Sequence, residues 1–162
     1  MSTETIENNK TGKQFSLIFF VELWERFGYY GVVSLLVVFL IKQLNFGDTL
    51  GINTYSAFFA LCYAFVSIGG AIGDKLLGTK RTTLLGAIVL AIGYFLLSFH
   101  PQQTIFFALG IIIAGNMLFK ANPSSLISKV YSGKGRAKLD GAFTIYYMAI
   151  NIGSFLSMTI CP

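Results

Sequence analysis

Glu22, Glu25 and Arg26 stand inside an apolar stretch near the start of the chain. Their spacing, i, i+3 and i+4, places all three on one face of a helix, and Tyr29, Tyr30 and Val33 continue that face. A charge at the centre of a membrane helix costs at least roughly 2.5 to 3.5 kcal/mol on insertion scales, so it is seldom kept without use. Two carboxylates beside one guanidinium cannot both stay comfortably ionised in low dielectric, and how they hold protons depends on whether Arg26 pairs with them. Two chemistries fit: a proton switch, or a fixed ion pair that locks this helix to a neighbour.

A second intramembrane charge, Lys120, lies in the run Gly115-Asn116-Met117-Leu118-Phe119-Lys120-Ala121-Asn122-Pro123. Pro123 removes a backbone donor and frees carbonyls near the lysine, so a kinked helix beside a buried cation is predicted. The alternative is a lysine that snorkels to the membrane surface. Glu22 and Glu25 balance Arg26 and Lys120 in formal charge. Further on, Tyr147 and Asn151 stand at i and i+4, next to Tyr146, and offer hydrogen bonds on one face; interfacial tyrosines and a helix-bridging asparagine would look the same. Enzymatic readings lack material: the one histidine, His100, stands beside Pro101 in a turn with no nucleophile or metal ligand near it in sequence. Cys62 and Cys161 both lie in apolar windows and receive no disulfide or metal role.

The elements that carry these residues follow from composition. Of 162 residues 54% are hydrophobic and 12% charged, and the mean hydropathy is +0.68, whereas a soluble domain carries about 25% charge. Five apolar windows, at about 15–41, 55–73, 82–99, 104–127 and 141–161, each approach the roughly 20 residues that cross a bilayer as helix. The first is too long for a cleaved signal peptide. An all-α, polytopic membrane helical bundle is predicted, with residues 1–14 as a loose polar tail and 15–162 as the transmembrane part. Glycines and Asp at 47, 48 and 51, then at 73, 74 and 78, Pro101, and glycines at 133 and 135 mark the turns.

The net charge of +5 fits orientation better than nucleic acid. Outside the helices, Lys10, Lys13, Lys75, Lys80, Arg81, Lys129, Lys134, Arg136 and Lys138 fall on one side, and only Lys42 on the other. The positive-inside rule then predicts a cytoplasmic amino terminus, with lipid as the solvent. The last window runs to Met158-Thr159-Ile160-Cys161-Pro162 without a polar exit, so the bundle is expected to be incomplete at its C-terminal end.

The segment from Gly69 to Arg81 resembles the signature loop of the major facilitator superfamily, with Gly70, Asp74, Gly78 and Arg81 as its structural positions and Asp74 expected to bond helix ends or Arg81. Glu22-Leu-Trp-Glu25-Arg26-Phe-Gly-Tyr29-Tyr30-Gly, Phe119-Lys120-Ala121-Asn122-Pro123-Ser124-Ser125, and Phe143-Thr-Ile-Tyr146-Tyr147-Met-Ala-Ile-Asn151-Ile-Gly153 occur in order. Together they resemble the proton-dependent oligopeptide transporter family of that superfamily, most of all its bacterial dipeptide and tripeptide permeases. The resemblance covers nearly the whole chain and implies an amino-terminal bundle of a major-facilitator-type fold. It implies proton-coupled symport of di- and tripeptides in the bacterial inner membrane, no cofactor beyond the proton as coupling ion, and no metal. Glu22, Glu25, Arg26 and Lys120 would then take part in proton coupling, and Tyr29, Tyr30, Lys120, Tyr147 and Asn151 in holding the peptide. Two positions depart from the family's pattern: Val33 replaces a polar residue, and Met117 replaces a glycine, which predicts an obstructed helix contact there. The family works with two six-helix bundles, so a carboxy-terminal bundle is the implied partner. The competing readings are a non-transporting truncated remnant or accessory membrane subunit, and a facilitator for another small solute.

Overall fold

The computed structural model describes residues 3–99 and 104–161, with side chains from residue 7 onward. The turn at His100 and Pro101 and the terminal Pro162 lie outside the described residues. Every element among the described residues is helical: α1 (Thr3–Val38) passing into a π-helical turn (Phe39–Gln43), α2 (Asp48–Ala64), α3 (Val66–Lys75), α4 (Thr79–Ser98), α5 (Ile105–Lys120), α6 (Asn122–Val130) and α7 (Arg136–Ile160). They make five segments long and apolar enough to cross a membrane, Glu7–Gln43, Asp48–Leu77, Thr79–Ser98, Ile105–Val130 and Arg136–Ile160. The fold is thus all-α with five candidate spans.

Helix boundaries differ from the apolar windows because polar residues extend the helices. The first helix starts at Thr3 rather than at residue 15, so residues 3–14 are helical and not loose. On that extension Glu7 meets the Lys134 ammonium at 3.5 Å. Asp48 in the first turn of α2 complements the positive end of the helix dipole, and α2 begins seven residues before the window at 55. Gly51, read as a turn residue, is therefore buried inside α2, where a Cβ would come within 2.6 Å of Ile41. At 1.5 Å per residue the 37-residue first segment is roughly 55 Å long, well beyond a hydrocarbon core of roughly 30 Å.

The chain divides into two compact units, one holding residues up to 31 and from 123 on, the other residues 32–122. In the first, Ile127, Ala142 and Tyr146 form a buried centre with Phe15, Ile18, Tyr131, Leu139, Phe143 and Ile150 around it. The polarity of α1 is inverted relative to a soluble helix. Glu22 is 4% exposed, whereas Leu17, Phe20 and Trp24 present a bare apolar face, Trp24 at 64%. Such a face is stable where the solvent is lipid.

In the second unit α5 packs against α3 and α4. At Gly69 the backbone of α3 lies so close to the Met117 carbonyl of α5 that no Cβ would fit. A close helix contact thus forms at Met117, made there by its backbone against Gly69. Of the segment 69–81, read as loop, residues 69–75 are helical in α3 and 79–81 in α4, so the turn shrinks to Leu76, Leu77 and Gly78. Gly78 has φ +80, a backbone that a side chain would strain.

Candidate functional site

The first unit brings the helix 1 charges together. The Arg26 Nε lies 3.2 Å from Glu22 Oε1, and the same guanidinium donates to Glu25 Oε2. All three residues are buried, at 4%, 9% and 5% exposure. One guanidinium thus holds two carboxylates, and with both of them ionised the trio carries one net negative charge. The Tyr29 ring, fully buried, lies with its centroid 5.5 Å from the Arg26 Cζ, and the Tyr30 ring meets it edge-on at 5.5 Å.

Helix α7 completes the cluster. Its buried face is Ala142, Tyr146, Ala149, Gly153 and Ser157, a 3.6-residue repeat. Tyr146, 5% exposed on that face, stands beside Glu22. Two turns on, Gly153 lets α7 touch α1: a Cβ there would collide with the Leu23 carbonyl and come within 3.0 Å of the Arg26 Cβ. Desolvated charges are tolerated only with close partners and good geometry, and this helix contact supplies both. Tyr147 and Asn151 occupy the other, exposed face of α7; Tyr147 is 57% exposed and stacks with Phe143 at 6.5 Å.

Lys120 belongs to the second unit, at the end of α5. Its Nζ sits 3.9 Å from the centroid of the Tyr63 ring of α2, a cation held over an aromatic face. The break expected at Pro123 is present: α5 stops at Lys120, Ala121 is its cap, and α6 begins at Asn122. Beside the break Asn122 Nδ2 donates to the Leu118 carbonyl at 2.7 Å and to the Gly69 carbonyl at 3.4 Å. Asn122 also fills the space above Gly73, where a Cβ would meet its amide.

Of the loop positions, Gly70 and Asp74 lie inside α3, Gly78 is the turn glycine, and Arg81 is in the first turn of α4. Asp74 and Arg81 are both exposed, and among the described residues they form no ion pair with each other, contrary to expectation. Asp74 is carried on the end of a helix and not on a flexible loop that could fold it back. Three residues at these sites carried no signal of their own: Tyr63, one aromatic among many in its window; Asn122, overshadowed by Pro123; and Tyr146, chosen over Tyr147 by packing alone.

Comparison with known proteins gives a consistent result. Residues 80–162 match the profile of a family described as the POT family. Dipeptide and tripeptide permease B of Edwardsiella piscicida and that of Salmonella typhimurium are each 59% identical over 152 residues, covering 93% of this chain and 31% of theirs. The structure resembles tetrameric PepTSo2, with TM-score 0.84 and 48% identity over 92% of this chain and 32% of that one. It also resembles a peptide transporter POT crystallised with sulfate, with TM-score 0.85 and 32% identity over 90% of this chain and 30% of that one. The chain spans about a third of the length of these relatives, and it belongs to the POT family.

Proposed function

We propose that this chain carries the proton-coupling part of a symporter for di- and tripeptides in the bacterial inner membrane, with its amino terminus in the cytoplasm. The observation that carries the reading is the buried Glu22–Arg26–Glu25 cluster with Tyr146 beside it. With both carboxylates ionised, Arg26 is held from two sides. A proton on Glu22 or Glu25 removes one of those anions, weakens the hold on the guanidinium and leaves a neutral trio, which low dielectric favours. The cycle is then biased by inward proton flow, because the protonated and ionised clusters stabilise different arrangements of the helices.

A short peptide presents a carboxylate, an ammonium and at least one amide. Lys120 supplies a cation for the carboxylate, and Tyr29, Tyr30, Tyr147 and Asn151 supply hydrogen bonds for the backbone. The names of the permease relatives support this substrate class. The basic residues at the ends of the spans, with Lys10, Lys13, Lys75, Lys80 and Arg81 assigned to the same side as Lys129 to Lys138, support the orientation. The test uses the complete gene product in whole cells. Addition of dialanine to a lightly buffered, acidified suspension should make the medium more alkaline as protons enter with peptide; peptide entry without that change overturns the coupling.

A further inference from the structure

Asn116 has no part in the mechanism above, yet it is wholly buried in α5, at 0% exposure. Its Nδ2 donates to the Ile112 carbonyl at 3.2 Å, while its Oδ1 is buried and accepts no hydrogen bond among the described residues. A buried acceptor left without a donor is destabilising, and within a membrane span no bulk water relieves it. Because the nitrogen is anchored, the other end of the planar amide has a fixed direction.

Lys120 follows four residues later, so the two side chains start on one helix face with Cβ atoms about 5 to 6 Å apart. Helical side chains lean back toward the N-terminus, which carries the lysine stem across the turn that holds Asn116. The ammonium rests over the Tyr63 ring, a partner that attracts charge without accepting a strong hydrogen bond.

We propose that Asn116 is a positioning residue for Lys120: its Oδ1 is a second resting place for the ammonium, reached from the Tyr63 ring by rotation of the lysine side chain alone. The inference rests on the reading of Lys120 as the cation for the peptide carboxylate. Two neutral partners suit that task. Each compensates the charge in low dielectric.

The test reads the lysine itself. The protein, labelled with 13C at lysine Cε, is placed in lipid nanodiscs, and the Lys120 resonance is assigned by its loss in Lys120→Met. Over Tyr63 the ring current shields the ε protons, and Tyr63→Leu marks the unshielded limit. Asn116→Leu removes the alternative acceptor at similar volume, so the Lys120 signal should move upfield; Asn116→Ala, equally without an acceptor, should move it the same way. Asn116→Thr, whose hydroxyl both donates to Ile112 and accepts, should restore the original position. A signal that stays put in both acceptor-free variants overturns the inference, as does an equal shift in a Tyr63→Leu background. Peptide transport has no part in this readout, so the inference and the functional reading on which it rests fail separately.

Discussion

Removing Arg26 should be far more damaging than neutralising either of its partners. In Arg26→Leu the Glu22 and Glu25 carboxylates, both in a helix face with less than a tenth of their surface exposed, lose the guanidinium that bridges them. Breaking a buried ion pair by deleting one member costs about 3 to 5 kcal/mol, a factor of roughly a hundred to several thousand in the folded-to-unfolded ratio. Glu25→Gln has nearly the same shape and leaves the Glu22–Arg26 pair neutral, so its cost should stay near 1 kcal/mol, that of one weakened hydrogen bond. Replacing Glu22, Glu25 and Arg26 together by leucine should recover most of what Arg26→Leu loses, since an apolar substitute for a whole buried charge cluster is often neutral or stabilising. Reversible unfolding in detergent micelles, followed by circular dichroism, measures all three. Equal destabilisation by Glu25→Gln and Arg26→Leu would refute the scheme, because a cluster that cannot survive the loss of one negative charge cannot act by accepting a proton.

The remaining predictions concern packing and substrate. Gly153→Ala should destabilise by about 1 to 3 kcal/mol, as its methyl would strike the Leu23 carbonyl. Gly141→Ala on the same helix, with nothing within 4 Å, should be neutral or stabilising by up to about 1 kcal/mol, and melting curves of the two variants separate steric from propensity effects. Asn122→Ala leaves the Leu118 carbonyl without its 2.7 Å donor and should lower stability by about 1 to 2 kcal/mol, with faster amide exchange around Leu118 as its local signature. Lys120→Ala in the complete gene product should weaken binding of peptides with a free carboxylate more than that of carboxyl-amidated peptides; equal losses in a competition assay would count against the carboxylate contact.

Much of this architecture can be read directly from the residues. Lipid imposes a length of about 20 apolar residues on each crossing, which is why five windows of hydropathy become five spans. The ends were harder, because Glu7, Asp48 and Arg136 are polar and still helical, their helices continuing past the apolar window. The break at Pro123 was legible since proline cannot donate, but the bond from Asn122 to the Gly69 carbonyl depends on α3 lying alongside. Glu22, Glu25 and Arg26 share a face by spacing alone. Tyr146 does not announce itself over Tyr147, as adjacent residues differ only in which side of α7 is packed. Asp74 was expected to act as a loop residue, and the helical segment that carries it is fixed by the approach of Gly69 and Gly73 to α5 and Asn122, a long-range contact that no local pattern records.

In the proposed cycle a proton is taken up by the Glu22–Arg26–Glu25 cluster as peptide moves. Uptake of labelled dialanine by right-side-out membrane vesicles carrying the complete gene product, with an imposed inward proton gradient, addresses it most directly. The wild type should accumulate peptide above the external concentration and lose that accumulation when a protonophore is added, while Glu25→Gln should exchange peptide to equilibrium and no further. Concentrative uptake that survives both the protonophore and Glu25→Gln would contradict the account.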